Sequence, residues 1–132
     1  MSDQKEVPPA ARLLGREVIS ADPQSGEVRL RFYARSDFAN RHGTVQGGML
    51  AAMLDSATGN AMMASLPSDR TAVTTRLDTT FLKPAATGPI TAIARLVKQD
   101  ERSAEAEAEL IDSQGQIVAR GRAELRIRQR RE

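Results

Sequence analysis

One segment of this chain has the length and composition of a long helix, and nearly everything around it has the pattern of strand. From Gln46 to Ser65 the residues are Ala, Met, Leu and other small side chains, broken by a single charge at Asp55. The segment stops ahead of Pro67, because a residue before proline is driven out of the helical region. A helix that is apolar nearly all round is wrapped by other structure rather than laid on a surface. A sheet in turn needs its apolar face covered, and no other helix here is long enough to do it. The pattern predicts an α+β fold, with an antiparallel sheet of about six strands wrapped around one long central helix.

The other elements follow from local signals. Pro8 to Gly15 predicts a short N-terminal helix, with proline in its first turn and glycine as its stop. Arg16–Ala21 and Glu27–Arg35 predict two strands around an Asp-Pro-Gln-Ser-Gly turn, and Val28, Leu30 and Phe32 alternate with Arg29, Arg31 and Tyr33. Ser36–Val45 is a polar, glycine-bearing loop. Four more strands are expected near Thr71–Leu82, Ile90–Gln99, Ser103–Asp112 and Ile117–Arg128. Closing the last hairpin symmetrically at Asp112-Ser-Gln-Gly115 sets Glu107 opposite Arg120 and Glu105 opposite Arg122, with alanines and Leu110 on the other face. By simple alternation Arg76 and Asp78 share the strand face of Thr74, where they are expected to pair with each other or with neighbouring strands.

A chain of 132 residues is expected to form one domain, residues 8–132, behind a disordered lead-in over residues 1–7. With no cysteine there is no disulfide framework or thiolate metal site, and no metal cluster, cofactor or nucleotide-binding loop is expected. No apolar run is long enough for a membrane span and the N-terminus lacks a signal-like apolar stretch, so the expected location is cytoplasmic. Arginines crowd the C-terminal end (Arg120, Arg122, Arg126, Arg128, Arg130, Arg131), but the chain carries 3% aromatic residues, too few to interleave with them for single-stranded nucleic acid. The arginines are expected to form a solvated strand face, with a patch for the phosphates of a nucleotide-bearing ligand as the alternative.

The chemistry concentrates between Asn40 and Asp55, N-R-H-G-T-V-Q-G-G-M-L-A-A-M-L-D. Gly47-Gly48 leaves room for a ligand to reach backbone N–H groups at a helix start, where the dipole favours negative charge. A carboxylate inside an otherwise apolar helix is costly to bury unless paired or used. Gly48, Ala51, Ala52, Thr58 and Gly59 share the Asp55 side by helical spacing, and residues so small admit a ligand or a second backbone. These features together suit an oxyanion site beside an acid–base residue. One histidine and no cysteine leave little material for a nucleophilic triad.

With this motif, Val73-Thr74-Thr75 and Phe81-Leu82-Lys83-Pro84 downstream, and this strand order, the chain resembles the hotdog-fold thioesterases, most closely the PaaI-like acyl-CoA thioesterase group. The resemblance spans roughly Pro9 to Arg128. It implies hydrolysis of an acyl-CoA thioester at the interface of a homodimer or a dimer of dimers whose sheets join edge to edge. On matching positions, the Gly47 N–H and the Asn40 side chain would polarise the thioester carbonyl. Asp55 of the partner subunit would act as general base or nucleophile, and Thr74 would help place the water. Gly48, Thr75 and Lys83 would contact substrate or CoA, Lys83 by its charge.

The family commonly has histidine immediately before the glycine pair, and here that position is Gln46. Gln46 donates a hydrogen bond but cannot be a cationic acid at neutral pH. The lone His42 stands thirteen residues before Asp55, out of register for that role, and is expected to serve the loop. The departure at Gln46 keeps a second class in view, a non-catalytic acyl-CoA binding module. A hotdog hydratase ranks last, because His42 lies outside the helix.

Overall fold

The alternation of Val28, Leu30 and Phe32 with Arg29, Arg31 and Tyr33 becomes strand β2 (Glu27–Ala34), with the apolar set buried and the others exposed. The computed structural model describes residues 7–130. In that span the elements run α1 (Pro9–Leu13), β1 (Glu17–Ala21), β2, α2 (Gly47–Met63), β3 (Arg70–Phe81), β4 (Gly88–Gln99), β5 (Ser103–Ile111) and β6 (Ile117–Gln129), with a 3-10 turn at Ser36–Phe38. Six of the seven lead-in positions, 1–6, and the last two residues of the expected domain lie outside the described residues. The six strands form one antiparallel sheet in the order β1-β2-β4-β5-β6-β3. The α+β architecture is the one expected, and it leaves β1 and β3 as the two edges.

Helix α2 lies in the concave side of the sheet and packs against strands β2 to β6. It sits close because the floor beneath it is built of small residues: Ala92, Ala94, Ala106, Ala108, Ala119 and Ala123 are buried with Gly121 among them. A β-carbon on Gly121 would come within 3.2 Å of Leu54 Cβ and Cδ1, and Leu54 is fully buried. The sheet covers only one side of the helix. Leu50, Met53, Leu54, Ala57, Thr58, Ala61 and Met62 are buried, while Gly48 and Asp55 are exposed and Ala51, Ala52 and Gly59 half-buried. Complete wrapping is thus not achieved within one chain. Thr58 also departs from the expected grouping with Asp55: it is buried, and its hydroxyl donates to Leu54 O (2.9 Å) and Asp55 O (3.1 Å).

The β5–β6 hairpin closes two residues away from the symmetric register, with Glu107 opposite Arg122 and Glu109 opposite Arg120. Two one-residue offsets account for this. Asp112 N–H donates to Gln116 O across a turn that holds Gly115 at φ 82°, and a bulge follows between Leu110 and Ile111. An even total shift keeps every side chain on its expected face. Arg120 then meets Glu109 at 3.1 Å, while Arg122 reaches diagonally to Glu105 at 3.0 Å. Exposed pairs of this kind contribute about 0–1 kcal/mol each.

The tight helix–sheet contact predicts that Gly121→Ala forces Leu54 or the strand to move. Unfolding in urea at fixed protein concentration should show a loss of about 1–3 kcal/mol, the usual cost of overpacking a core.

Candidate active site

Helix α2 starts at Gly47, with Gln46 as its N-cap. The Gln46 carbonyl accepts from Met49 N–H (2.9 Å) and Leu50 N–H (3.3 Å), while its side chain is exposed and makes no cap hydrogen bond. Among the described residues the Gly47 and Gly48 N–H groups meet no acceptor, so two donors at the positive end of a 17-residue helix stay available. The preceding loop is anchored at its base by Val45 N–H to Ala85 O (2.9 Å) and Gln46 N–H to Phe38 O (2.9 Å).

Asn40 organises that loop. Its side-chain oxygen accepts from the backbone N–H of His42 (2.9 Å) and of Thr44 (3.2 Å), and from the Thr44 hydroxyl (3.3 Å). With Oδ1 committed to backbone donors, Nδ2 is identified as the amino end, and it meets no acceptor among the described residues. Asn40, His42, Gly47, Phe81 and Lys83 line a cleft of about 450 Å³. Lys83 Nζ donates to Gln116 Oε1 at its edge. His42 is exposed in the loop, in keeping with its expected loop role.

Asp55 stands on the uncovered side of α2, where Thr74 Oγ1 donates to its Oδ1 at 2.8 Å. The burial expected for this carboxylate is therefore not provided by its own chain. Gly48, Ala51, Ala52, Asp55, Thr74 and Thr75 line a groove of about 430 Å³ between the helix and β3. A β-carbon at Gly48 would meet nothing within 4 Å. At Gly47 it would touch the Phe81 ring at 3.3 Å.

A bulge in β3 sets which residues share this groove. Thr74 pairs with Leu125 and Arg76 with Glu124, so Thr75 is an extra residue, its hydroxyl donating to Glu124 O (3.1 Å). The offset reverses the alternation. Thr74 faces the helix on one side of the bulge and Phe81, seven positions on, faces it on the other. Asp78 is carried to the outer face, contrary to simple alternation, while Arg76 still borders the groove and pairs with Asp78 at 3.2 Å. A bulge at a Thr-Thr step leaves no mark in a sequence pattern of period two.

The expected residues thus fall into two clusters. Asn40, Gln46, Gly47 and Lys83 lie around the start of α2, while Asp55 and Thr74 lie two turns along it, with Gly48 and Thr75 in the groove between. Asp55 is eight residues beyond Gly47, a rise of about 12 Å.

Two residues join the second cluster without any signal in the sequence. Arg16 Nη1 donates to Ser56 Oγ at 3.1 Å, and both line a cavity of about 370 Å³ with Asp55, Asn60, Met63 and Thr74. Arg16 immediately follows the helix-stopping Gly15 (φ 65°), and 40 positions separate it from Ser56. Burial holds its guanidinium below the ordinary arginine value, though it stays charged. Among the described residues no group of His, Asp and Glu is arranged to hold a metal ion, and no helix is long and apolar enough to cross a membrane.

The sequence profile of the thioesterase superfamily matches residues 42–119. No curated protein matches the chain. Among solved structures it is similar to a phenylacetic acid degradation-related protein from Ralstonia eutropha JMP134, at 33% identity over 91% of this chain and 90% of the other, with TM-score 0.88. It is also similar to the PaaI protein from the phenylacetic acid degradation operon of E. coli, at 25% identity over 94% of this chain and 87% of the other, TM-score 0.83. A thioesterase from Haemophilus influenzae shares the fold at 18% identity over 96% and 87% of the two chains, TM-score 0.85. The chain belongs to the thioesterase superfamily: it is a thioester hydrolase of the hotdog fold, in the PaaI-like group.

Proposed function

We propose that the chain hydrolyses acyl-CoA thioesters as a homodimer, each active site combining the start of α2 from one subunit with Asp55 and Thr74 from the other. The observation that carries this reading is the separation along one helix. An attacking water and the oxyanion it creates must lie within hydrogen-bond reach of the same carbonyl carbon. Gly47 and Asp55 of one chain, about 12 Å apart along the axis, cannot both serve it.

Two-fold symmetry joins the halves. If Gly47 of each subunit meets Asp55 of the other, the axis passes near Ala51, midway between them, and Gly48, Ala51 and Ala52 form the contact. Those residues are small, only partly covered by their own chain, and line the open groove. Strand β3 is an edge of the sheet beside that groove, with unpaired backbone groups suited to its copy across the axis. A second subunit would complete the cover that the sheet leaves unfinished on α2.

In this site the thioester carbonyl points at Gly47 N–H and Asn40 Nδ2. Thr74 occupies Oδ1 of Asp55 and leaves Oδ2 free to accept a proton from water. Attack forms the C–O bond and places negative charge on the carbonyl oxygen. Collapse breaks the C–S bond, releases the free acid, and returns the proton from Asp55 to the CoA sulfur. Gln46, exposed beside the glycines, offers an amide N–H to the departing sulfur where relatives commonly carry histidine. Lys83, at the cleft edge, is placed to meet CoA phosphates.

Asp55→Asn should lower kcat on acyl-CoA about 10²–10⁴-fold in a free-thiol assay, the usual worth of a general base. Unchanged turnover, or tight acyl-CoA binding with no hydrolysis by the native chain, overturns the assignment. Asn40→Asp retains the loop acceptor and removes the amide donor, so it should keep urea stability within about 1 kcal/mol of the native chain while losing about 10²–10³-fold in kcat. Refolding an equal mixture of the Asp55→Asn and Asn40→Asp chains makes half of the dimers mixed, each with one intact site. Activity should return to about a quarter of the native value. No recovery in demonstrably mixed dimers would place the site within a single chain.

A further inference from the structure

We propose that Arg16 selects the acyl group, and that the preferred substrates are thioesters whose acyl chain ends in a carboxylate or comparable oxyanion. The inference rests on the acyl-CoA hydrolase reading above and names the substrate class of that site. Arg16 is held from both ends. Its backbone N–H donates to Ala11 O (3.0 Å) just after Gly15, and a β-carbon on Gly15 would come within 3.0 Å of Tyr33 Cβ. Its Nη1 is fixed by Ser56 at 3.1 Å, one residue beyond Asp55 on the helix.

The guanidinium has five N–H donors, and that single side-chain contact is the one hydrogen bond it makes among the described residues. Nor does it form a salt bridge there, although Asp55 lines the same cavity. Arg95, Arg120 and Arg122 on the outer sheet face are by contrast each closed by a glutamate. A half-buried cation with open donors and no carboxylate within salt-bridge distance among the described residues favours an anionic guest, and the planar fork suits a carboxylate.

The cavity also has an apolar side. Met63, Ala72 and Leu125 line it together with the polar set of Arg16, Ser56 and Asn60. It runs from Asp55 about two helical turns further along α2, to Met63, away from the Gly48–Ala52 contact. A chain attached to a carbonyl beside Asp55 would follow the apolar wall and bring a terminal oxyanion to Arg16. The phosphates of CoA would instead meet exposed cations such as Lys83 on the other half of the site.

Hexanoyl-CoA and adipoyl-CoA differ only in a terminal carboxylate, and the readout is the ratio of their kcat/KM values. The native enzyme should favour adipoyl-CoA, and Arg16→Gln should lower that ratio about 10- to 100-fold, the range for hydrogen bonds to a charged group. Arg16→Lys should recover part of it, since the charge remains without the fork. A ratio unchanged by Arg16→Gln overturns the proposal, whatever happens to the absolute rates. N-acetylcysteamine thioesters of the same two acids test the other oxyanion source: if the Arg16→Gln loss is confined to the CoA esters and equal for both acids, Arg16 binds CoA phosphate and the proposal fails. Should the native chain hydrolyse none of these thioesters, the acyl-CoA reading itself fails. Native turnover of hexanoyl-CoA without Arg16-dependent discrimination removes only the present inference.

Discussion

The contact between Leu54 and Gly121 sets the depth at which helix α2 sits in the sheet, and most of the functional geometry follows from that depth. A floor of alanines and one glycine admits the helix closely, so its buried side is filled by Leu50, Met53, Leu54, Ala57 and Met62. The opposite side is only partly covered by the chain's own strands, with β3 bordering it at Thr74. What remains there is Gly48, Ala51, Ala52, Asp55 and Gly59, too small to shield one another and interrupted by a charge. Close packing on one side therefore produces a bare, narrow face on the other, with the acid–base candidate on it.

Strand β3 makes that face specific. The extra residue Thr75 turns two positions of opposite parity, Thr74 and Phe81, toward the same helix. One hydrogen-bonds Asp55 and the other packs over Gly47, so the bulge ties both ends of the site to a single edge strand. Asp78 is displaced to the outer sheet face, and Arg76 at the groove border pairs with it. A substitution that removed the bulge would send Thr74 or Phe81 away from the helix.

Much of the site was legible because its elements are local. The glycine pair, the helix start at Gln46–Gly47, the loop carrying Asn40 and the odd carboxylate at Asp55 all lie within sixteen consecutive residues. Helical spacing alone orders several of them. Thr74 and Lys83 came from resemblance to a known pattern, and the structure places Thr74 on Asp55 and Lys83 on the cleft with Asn40 and Gly47. Arg16 carries no such local signal, since nothing near it announces a partner 40 positions away. The hairpin register is hidden too: two single-residue offsets cancel in their effect on sidedness, so the face pattern of β5 and β6 fits the wrong pairing as well as the right one.

The sequence by itself determined the element order, the α+β class and the position of the oxyanion and acid candidates, because these depend on periodicity, capping and turn chemistry within short windows. Only the tertiary structure decided that the helix is half covered, that β3 changes face at Thr75, and that Arg16 reaches Ser56 beside Asp55. Those outcomes depend on distances between segments remote in the chain, which local propensity does not encode. The about 12 Å between Gly47 and Asp55 belongs to both, since helix rise follows from sequence position. Its bearing on the proposed two-subunit site depends on the sheet leaving that side of the helix partly open.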